Sequence, residues 1–131
     1  MYEQETAGLL VRVAPHFLAE ESDPAERRFV WAYTIEIENR SPEPVQLKSR
    51  YWRITDARGT TQEVRGDGVI GQQPVIEPGQ SFRYTSAAPL AEPSGLMVGA
   101  YSMVRVEDGE AFDIAVPAFA LDSPHETRLA N

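Results

Sequence analysis

The chain has 131 residues, of which 42% are hydrophobic and 24% charged, and its twelve Lys and Arg against twenty Asp and Glu give a net charge of −8. That length fits a single domain spanning 1–131, and the large side chains Phe29, Trp31, Tyr33 and Trp52 exclude a disordered chain. The acid excess disfavours nucleic acid and anionic membrane as partners, and zero cysteines exclude disulfides, thiolate metal centres and a cysteine nucleophile.

The N-terminal residues Met1, Tyr2, Glu3, Gln4 and Glu5 are acidic where a secretion signal would be basic, and no apolar run approaches the ~20 residues that span a bilayer. A cytoplasmic protein without membrane contact is the expectation. Leu9 through Val13 is β-branched and apolar, and Pro15 marks it as a first strand at a sheet edge. An acidic, proline-containing loop over 20–26 separates it from the next strand. From 29 to 39 the alternation is the cleanest in the protein, with Phe29, Trp31, Tyr33, Ile35 and Ile37 on one face. This is a central core strand.

Turn formers over 39–44 end that strand, and extended character resumes over 45–55. There Val45 and Leu47 are odd-numbered whereas Trp52 and Ile54 are even, so the buried face changes parity between Lys48 and Tyr51 and a bulge or a bend is implied. Asp56 to Gly59 reads as the turn of a hairpin with 60–65. Glu77-Pro78-Gly79-Gln80 matches a type II turn ahead of a strand over 81–86. After a breaker cluster at 89–95, strands are expected over 96–106 and 111–116 around a Glu107-Asp108-Gly109-Glu110 turn. The apolar stretch 117–121 anchors the end of a core that begins near residue 6, and a mobile tail is expected over 122–131. Seven or eight strands with no helical period or repeat specify an all-β fold, an antiparallel β-sandwich.

Gly66, Gly68 and Gly71 fall in a G-x-G-x-x-G pattern. A dinucleotide-binding unit needs that pattern between a strand and a helix, and Pro74 and Pro78 forbid the helix. Two readings remain: a nest of backbone N–H groups that cradles an anion, or glycines required by backbone geometry alone. Charge patterning bears on the first. Between 44 and 66, Lys48, Arg50, Arg53, Arg58 and Arg65 face only Asp56 and Glu63, a local balance of +3 in a chain of −8. The competing reading pairs those arginines with acids on neighbouring strands.

The segments 49–56 (Ser-Arg-Tyr-Trp-Arg-Ile-Thr-Asp), 63–74 (Glu-Val-Arg-Gly-Asp-Gly-Val-Ile-Gly-Gln-Gln-Pro), Pro78-Gly79 and Phe82-Arg83-Tyr84-Thr85-Ser86 resemble the ApaG domain, and the resemblance runs on through Met97, Gly99, Tyr101, Met103, Phe112 and Phe119. It implies a fibronectin type III-like or immunoglobulin-like sandwich. It also implies a small bacterial cytoplasmic protein associated with magnesium and cobalt homeostasis. Relatives within F-box and DNA-polymerase-interacting proteins imply an interaction role. Tyr51 stands where many such domains carry histidine.

No catalytic constellation is visible: Ser86 and Ser102 have no activating neighbours in sequence, so an enzyme is not expected. His16 and His125 lack ligand spacing, and neither a metal site nor a cofactor is expected. The candidate surface is therefore Gly66, Gly68 and Gly71 with Arg50, Arg53 and Arg65, flanked by Lys48. A protein partner is expected to use it, with a phosphate-containing small molecule or nucleotide as the alternative, and an exposed edge strand leaves a homodimer open.

Overall fold

The computed structural model describes residues 2–125 as two antiparallel sheets packed face to face. The strands are β1 (Tyr2–Thr6), β2 (Leu9–Phe17), β3 (Phe29–Asn39), β4 (Val45–Asp56), β5 (Thr61–Asp67), β6 (Val75–Ile76), β7 (Ser81–Leu90), β8 (Gly95–Arg105) and β9 (Ala111–Leu121). One sheet runs β1-β2-β3-β7, and the other runs β5-β4-β8-β9 with β6 also on β4. This is the antiparallel sandwich of the fibronectin type III and immunoglobulin class. Residues 126–131 of the expected tail lie outside the described residues. Before them, the Asp122 carbonyl accepts the Trp31 indole N–H at 2.7 Å, and Ser123 donates to the Pro93 carbonyl at 2.6 Å.

β3 forms where the alternation places it, and Phe29, Trp31, Tyr33, Ile35 and Ile37 all turn inward. The parity change in β4 is a β-bulge: Leu47 opposes Met103, the next register pair is Ser49 with Ser102, and Lys48 is the extra residue. Ahead of it Val45 and Leu47 face the core; after it Trp52 and Ile54 do. Trp52 then sits at the centre of an aromatic cluster, with ring centroids 5.5 Å from Tyr33, 5.9 Å from Phe119 and 6.3 Å from Tyr101. Edge-to-face packing of this kind adds about 0.5–1.5 kcal/mol per pair beyond the area buried.

Several boundaries differ from expectation for identifiable reasons. Leu9–Phe17 is neither the first strand nor an edge, because polar Tyr2–Thr6 pairs alongside it as β1. Pro15 is tolerated because the β1 ladder stops at Val13, which leaves that side of residue 15 without a partner strand. Pro89 lies within β7, which is itself an edge strand paired only to β3. Pro117 occupies a second bulge, where the register against β8 skips from Phe119 to Val116 and a ladder donor is not needed. The loop over 20–26 contains two short 3-10 turns, Ala19–Glu21 and Pro24–Glu26.

Asn39 is a buried polar residue that the alternation hides. Its Nδ2 donates to the Glu43 and Ile76 carbonyls at 2.8 and 2.9 Å, and its Oδ1 accepts from the backbone N–H and hydroxyl of Ser41. Three of these bonds brace the β3–β4 turn and the fourth ties it to β6, so the group is satisfied without water.

Gly99 lies directly under Trp52, and a Cβ there would sit 2.4 Å from the indole ring. Gly99→Ala is expected to lower the unfolding free energy in a urea titration by about 1–3 kcal/mol, the usual cost of overpacking a core. Gly109→Ala is the comparison. It meets no atom within 4 Å and pays only for a φ of +71°, about 1–2 kcal/mol.

Candidate functional site: the β4 bulge, the glycine loop and the open side of the sandwich

β5 and β6 lie along the same side of β4, pairing with residues 49–55 and 45–46 respectively, and the loop 68–74 leaves the sheet between them opposite the bulge. A bulge removes one residue from the ladder and leaves its backbone groups to be satisfied elsewhere. The loop does this. The Lys48 carbonyl accepts the Gly68 N–H at 2.8 Å and the Gln73 side-chain amide at 2.8 Å, while the Leu47 N–H reaches the Pro74 carbonyl at 3.0 Å. Val69 plugs the core beneath, fully buried.

Each glycine of the G-x-G-x-x-G pattern answers a different local demand. Gly71 follows Ile70 in a two-residue turn closed by reciprocal Val69 and Gln72 backbone bonds at 2.9 and 2.8 Å. Both central residues have positive φ, +42° and +77°, as in a type I′ hairpin turn. Gly68 combines a φ of +60° with close approach: a Cβ would lie 2.2 Å from the Gln72 carbonyl oxygen. Gly66 lies within β5 opposite Arg50, and a Cβ there would fall 2.8 Å from the Arg50 Nη1. No helix follows Gly71, and β5 and β6 are both antiparallel to β4, so the dinucleotide crossover is absent from the described residues.

The structure divides the predicted site residues between two faces. Arg50 shares the parity of Trp52 and Ile54 and extends inward over Gly66, half-buried, its Nη1 donating to the Asp67 and Gly68 carbonyls at 3.1 and 2.9 Å. Arg53 and Arg65 emerge on the opposite, outer face. There Arg65 lies over the Tyr51 ring at 4.7 Å and beside Glu63 at 3.7 Å, and the Tyr51 hydroxyl donates to Glu63 at 2.5 Å. Lys48 is exposed at the bulge. Thus Arg50, Gly66 and Gly68 touch one another, whereas Arg53 and Gly71 stand apart from them.

Salt bridges further separate these cations. Arg12, Arg27, Arg40, Arg58, Arg65 and Arg105 each pair with a carboxylate. Among the described residues, the three bases of β4, Lys48, Arg50 and Arg53, pair with none.

The tyrosines around Arg50 escaped sequence reasoning, because their alternation reads as core. Tyr33, Tyr84 and Tyr101 are buried, and the Tyr84 and Tyr101 hydroxyls meet at 2.5 Å. Burial holds all three phenols above their ordinary range, most strongly Tyr101, with the Arg50 charge opposing the effect at each. They are neutral donors at neutral pH. The signal available in the sequence was Arg50 itself, whose number has the parity of the inward residues Trp52 and Ile54.

Among the described residues no three His, Asp or Glu side chains gather to hold a metal ion. His16 stands on the exposed face of β2 opposite Ala32, and His125 packs against the Phe17 and Phe29 rings at 5.8 and 5.9 Å. No described helix is long and apolar enough to cross a membrane.

With this geometry fixed, comparison with known proteins decides the family. A family model described as the ApaG domain matches residues 19–105. The chain belongs to the ApaG family. It is 57% identical over 125 residues to Protein ApaG of Rhodospirillum centenum, covering 95% of each chain. It is 56% identical over 131 residues to Protein ApaG of Methylorubrum extorquens, covering all of both. A crystal structure of a Bordetella pertussis protein described as ApaA superposes with a TM-score of 0.85 at 45% identity, over 90% of this chain and 95% of that one. The matched ApaG segment contains β3 through β8, and so contains the bulge, the loop and Arg50.

Two outcomes test this account of the site. Gly68→Ala is expected to cost more stability than Gly71→Ala in a denaturant titration, by at least about 1–3 kcal/mol, because only Gly68 adds an atomic overlap to its positive φ. The second concerns pH. The folded protein retains the phenol protons of Tyr84 and Tyr101 above pH 10, where the unfolded chain releases them. Stability that is fully present below about pH 10 is therefore lost as pH rises beyond it. The urea midpoint should drop between pH 10 and 12, and the Tyr84→Phe/Tyr101→Phe double variant, which removes both hydroxyls together, should show a shallower drop.

Proposed function

We propose that this ApaG-family chain is a non-enzymatic binding module that recognises an acidic segment of a protein partner, through Lys48, Arg53, Arg65 and the loop 65–74. The observation that supports it is that all three bases of β4 lack a carboxylate partner among the described residues. In a chain of net charge −8, six arginines are matched to carboxylates, while among the described residues Arg28, Arg83, Lys48 and Arg53 stand exposed and unmatched, and of these Lys48 and Arg53 share β4 with the unmatched Arg50. Unmatched surface cations in an acidic protein attract an acidic partner and set its register more than they add affinity. Ile70, at the tip of the type I′ turn, is 54% exposed and offers the one large apolar contact of the loop.

A non-catalytic role fits the serines. Ser86 faces inward opposite Tyr33, whereas His16 lies on the outer face of the same sheet, so no histidine of the strands can activate it. Ser102 lies on the outer face of β8 opposite Asp113 and Ser49. The magnesium and cobalt association implied by the resemblance would then act through the partner, with the protein in the cytoplasm, 1–131 acting as a single domain, and no cofactor. A phosphate-bearing ligand at Gly66, Gly68 and Gly71 is the second reading, supported by the unmatched Arg50. Against it, the Gly68 N–H that a cradle would use already donates to Lys48.

Affinity capture from lysate with the native chain and a Lys48→Glu/Arg53→Glu variant tests the reading. A specific protein should be retained by the native chain, released as salt rises, and lost at least tenfold from the variant. Arg12→Glu/Arg40→Glu, which reverses matched cations on the other sheet, should retain it. Equal retention by all three proteins would refute the assignment of the surface.

A further inference from the structure

The two sides of the sandwich are closed differently. Along one side β1 and β2 pack on β9, with Thr6 accepting the Ala115 N–H and the Tyr2 hydroxyl accepting the Ala120 N–H, both at 3.3 Å. Along the other, the edge strands β5 and β7 leave a cleft of about 260 Å³ that reaches between the sheets. Trp52, Met97, Tyr33 and Ala88 form its apolar depth, Val64 and Pro89 its rim, and Gln62, Ser86 and Arg50 its polar positions. Such a lining, apolar with a few convergent polar groups, is the composition of a small-molecule site.

Arg50 sets the chemistry. A half-buried guanidinium is expensive unless paired, and this one meets two backbone carbonyls and no carboxylate among the described residues. Two carbonyls occupy Nη1 and leave the remaining donors of the fork and the whole formal charge available. Gly66 is what lets the group lie flat at the cleft end, since any side chain there would displace it. The neighbouring hydroxyls of Tyr33 and Ser86 are neutral and supply hydrogen bonds without adding charge.

We infer that the cleft between β5 and β7 binds a small organic monocarboxylate, its apolar body against Trp52, Met97 and Ala88 and its carboxylate on Arg50. One formal positive charge matches one carboxylate and undercompensates a phosphate dianion. A volume of about 260 Å³ suits a small acid better than a nucleotide, which also distinguishes this site from a cradle at the loop. The site uses the inward face, so it is separate from the partner surface formed by Lys48, Arg53 and Arg65.

Benzoate is the probe, with benzamide as its uncharged counterpart and inorganic phosphate as the competing anion. Titration of the full chain, followed by 15N NMR including side-chain N–H groups, is expected to show saturable shifts at Arg50 Nε–H, the Trp52 indole N–H and the Ser86 amide. The Trp31 indole N–H, which is not a wall of the cleft, should stay fixed. Benzamide should bind at least tenfold more weakly. Arg50→Gln is expected to lose at least tenfold in affinity. Because Arg50 also caps the loop, Gln62→Glu serves beside it: the side chain is exposed, and the added charge at the cleft mouth should weaken benzoate severalfold without unfolding the chain. Lys48→Glu/Arg53→Glu should bind benzoate as the native chain does, so failure of the partner surface and failure of this site read out separately. Equal binding of benzoate and benzamide, undiminished binding by folded Arg50→Gln, shifts confined to Arg53 and Arg65, or phosphate outcompeting benzoate would each overturn the assignment.

Discussion

One extra residue, Lys48, decides which side chains of β4 reach the core. Side chains alternate with a period of two, so one inserted residue exchanges the inward and outward sets of everything beyond it. Without it, the set that buries Val45 and Leu47 would continue through Ser49, Tyr51 and Arg53, and Trp52 would face solvent. The bulge instead delivers Trp52 to the aromatic cluster at Tyr33, Tyr101 and Phe119. It carries Arg50 inward with it. The bulge is therefore both the reason the core is complete and the reason a guanidinium lies at its end.

The bulge also explains the glycine-rich segment, which is better understood from the strand opposite than from its own spacing. A displaced Lys48 carbonyl needs donors, and a chain that leaves the sheet at Asp67 and returns at Val75 brings the Gly68 N–H and the Gln73 amide to it. Getting there and back in so few residues requires the close approach at Gly68 and the doubly positive turn at Ile70 and Gly71. Gly66 belongs to a different demand. It and Gly99 flank β4 on its two sides, one beneath Arg50 and the other beneath Trp52. Successive inward residues of β4 each lie over a glycine of a neighbouring strand.

What could be read in advance follows from which signals are local. The alternation of β3 is carried by its own residues, and the parity change of β4 lies within one strand, so both were legible. The type II turn at Pro78 and Gly79 likewise needs no distant partner, and the Gln80 N–H does close on the Glu77 carbonyl at 2.9 Å. β1 was not legible, because Tyr2–Thr6 is polar on both faces and becomes a strand only by pairing with β2. β6 is two residues long and exists only because β4 offers an edge there. For the site, proximity in sequence suggested that Arg50, Arg53 and Arg65 act together, yet a strand separates neighbours of opposite parity onto opposite faces. Arg50 consequently joins Tyr33 and Ser86, which are far from it in sequence and invisible to any local pattern.

That separation keeps the two proposed recognition surfaces of one small sandwich from conflicting. Charges on the outer face are screened by solvent and act on an approaching partner over roughly a Debye length, about 8 Å at physiological salt. The guanidinium between the sheets acts at short range in a medium of lower polarity, where neutral tyrosine hydroxyls surround it and where an anion gains more per contact. Both surfaces nevertheless share β4 as their backbone. An occupant drawn onto Arg50 would bear on its bonds to the Asp67 and Gly68 carbonyls, and through Gly68 on the loop whose exposed tip carries Ile70. Coupling between the two would be transmitted by a few backbone hydrogen bonds around one bulge, not by movement of the sheets, whose packed aromatic core leaves them little freedom to shift.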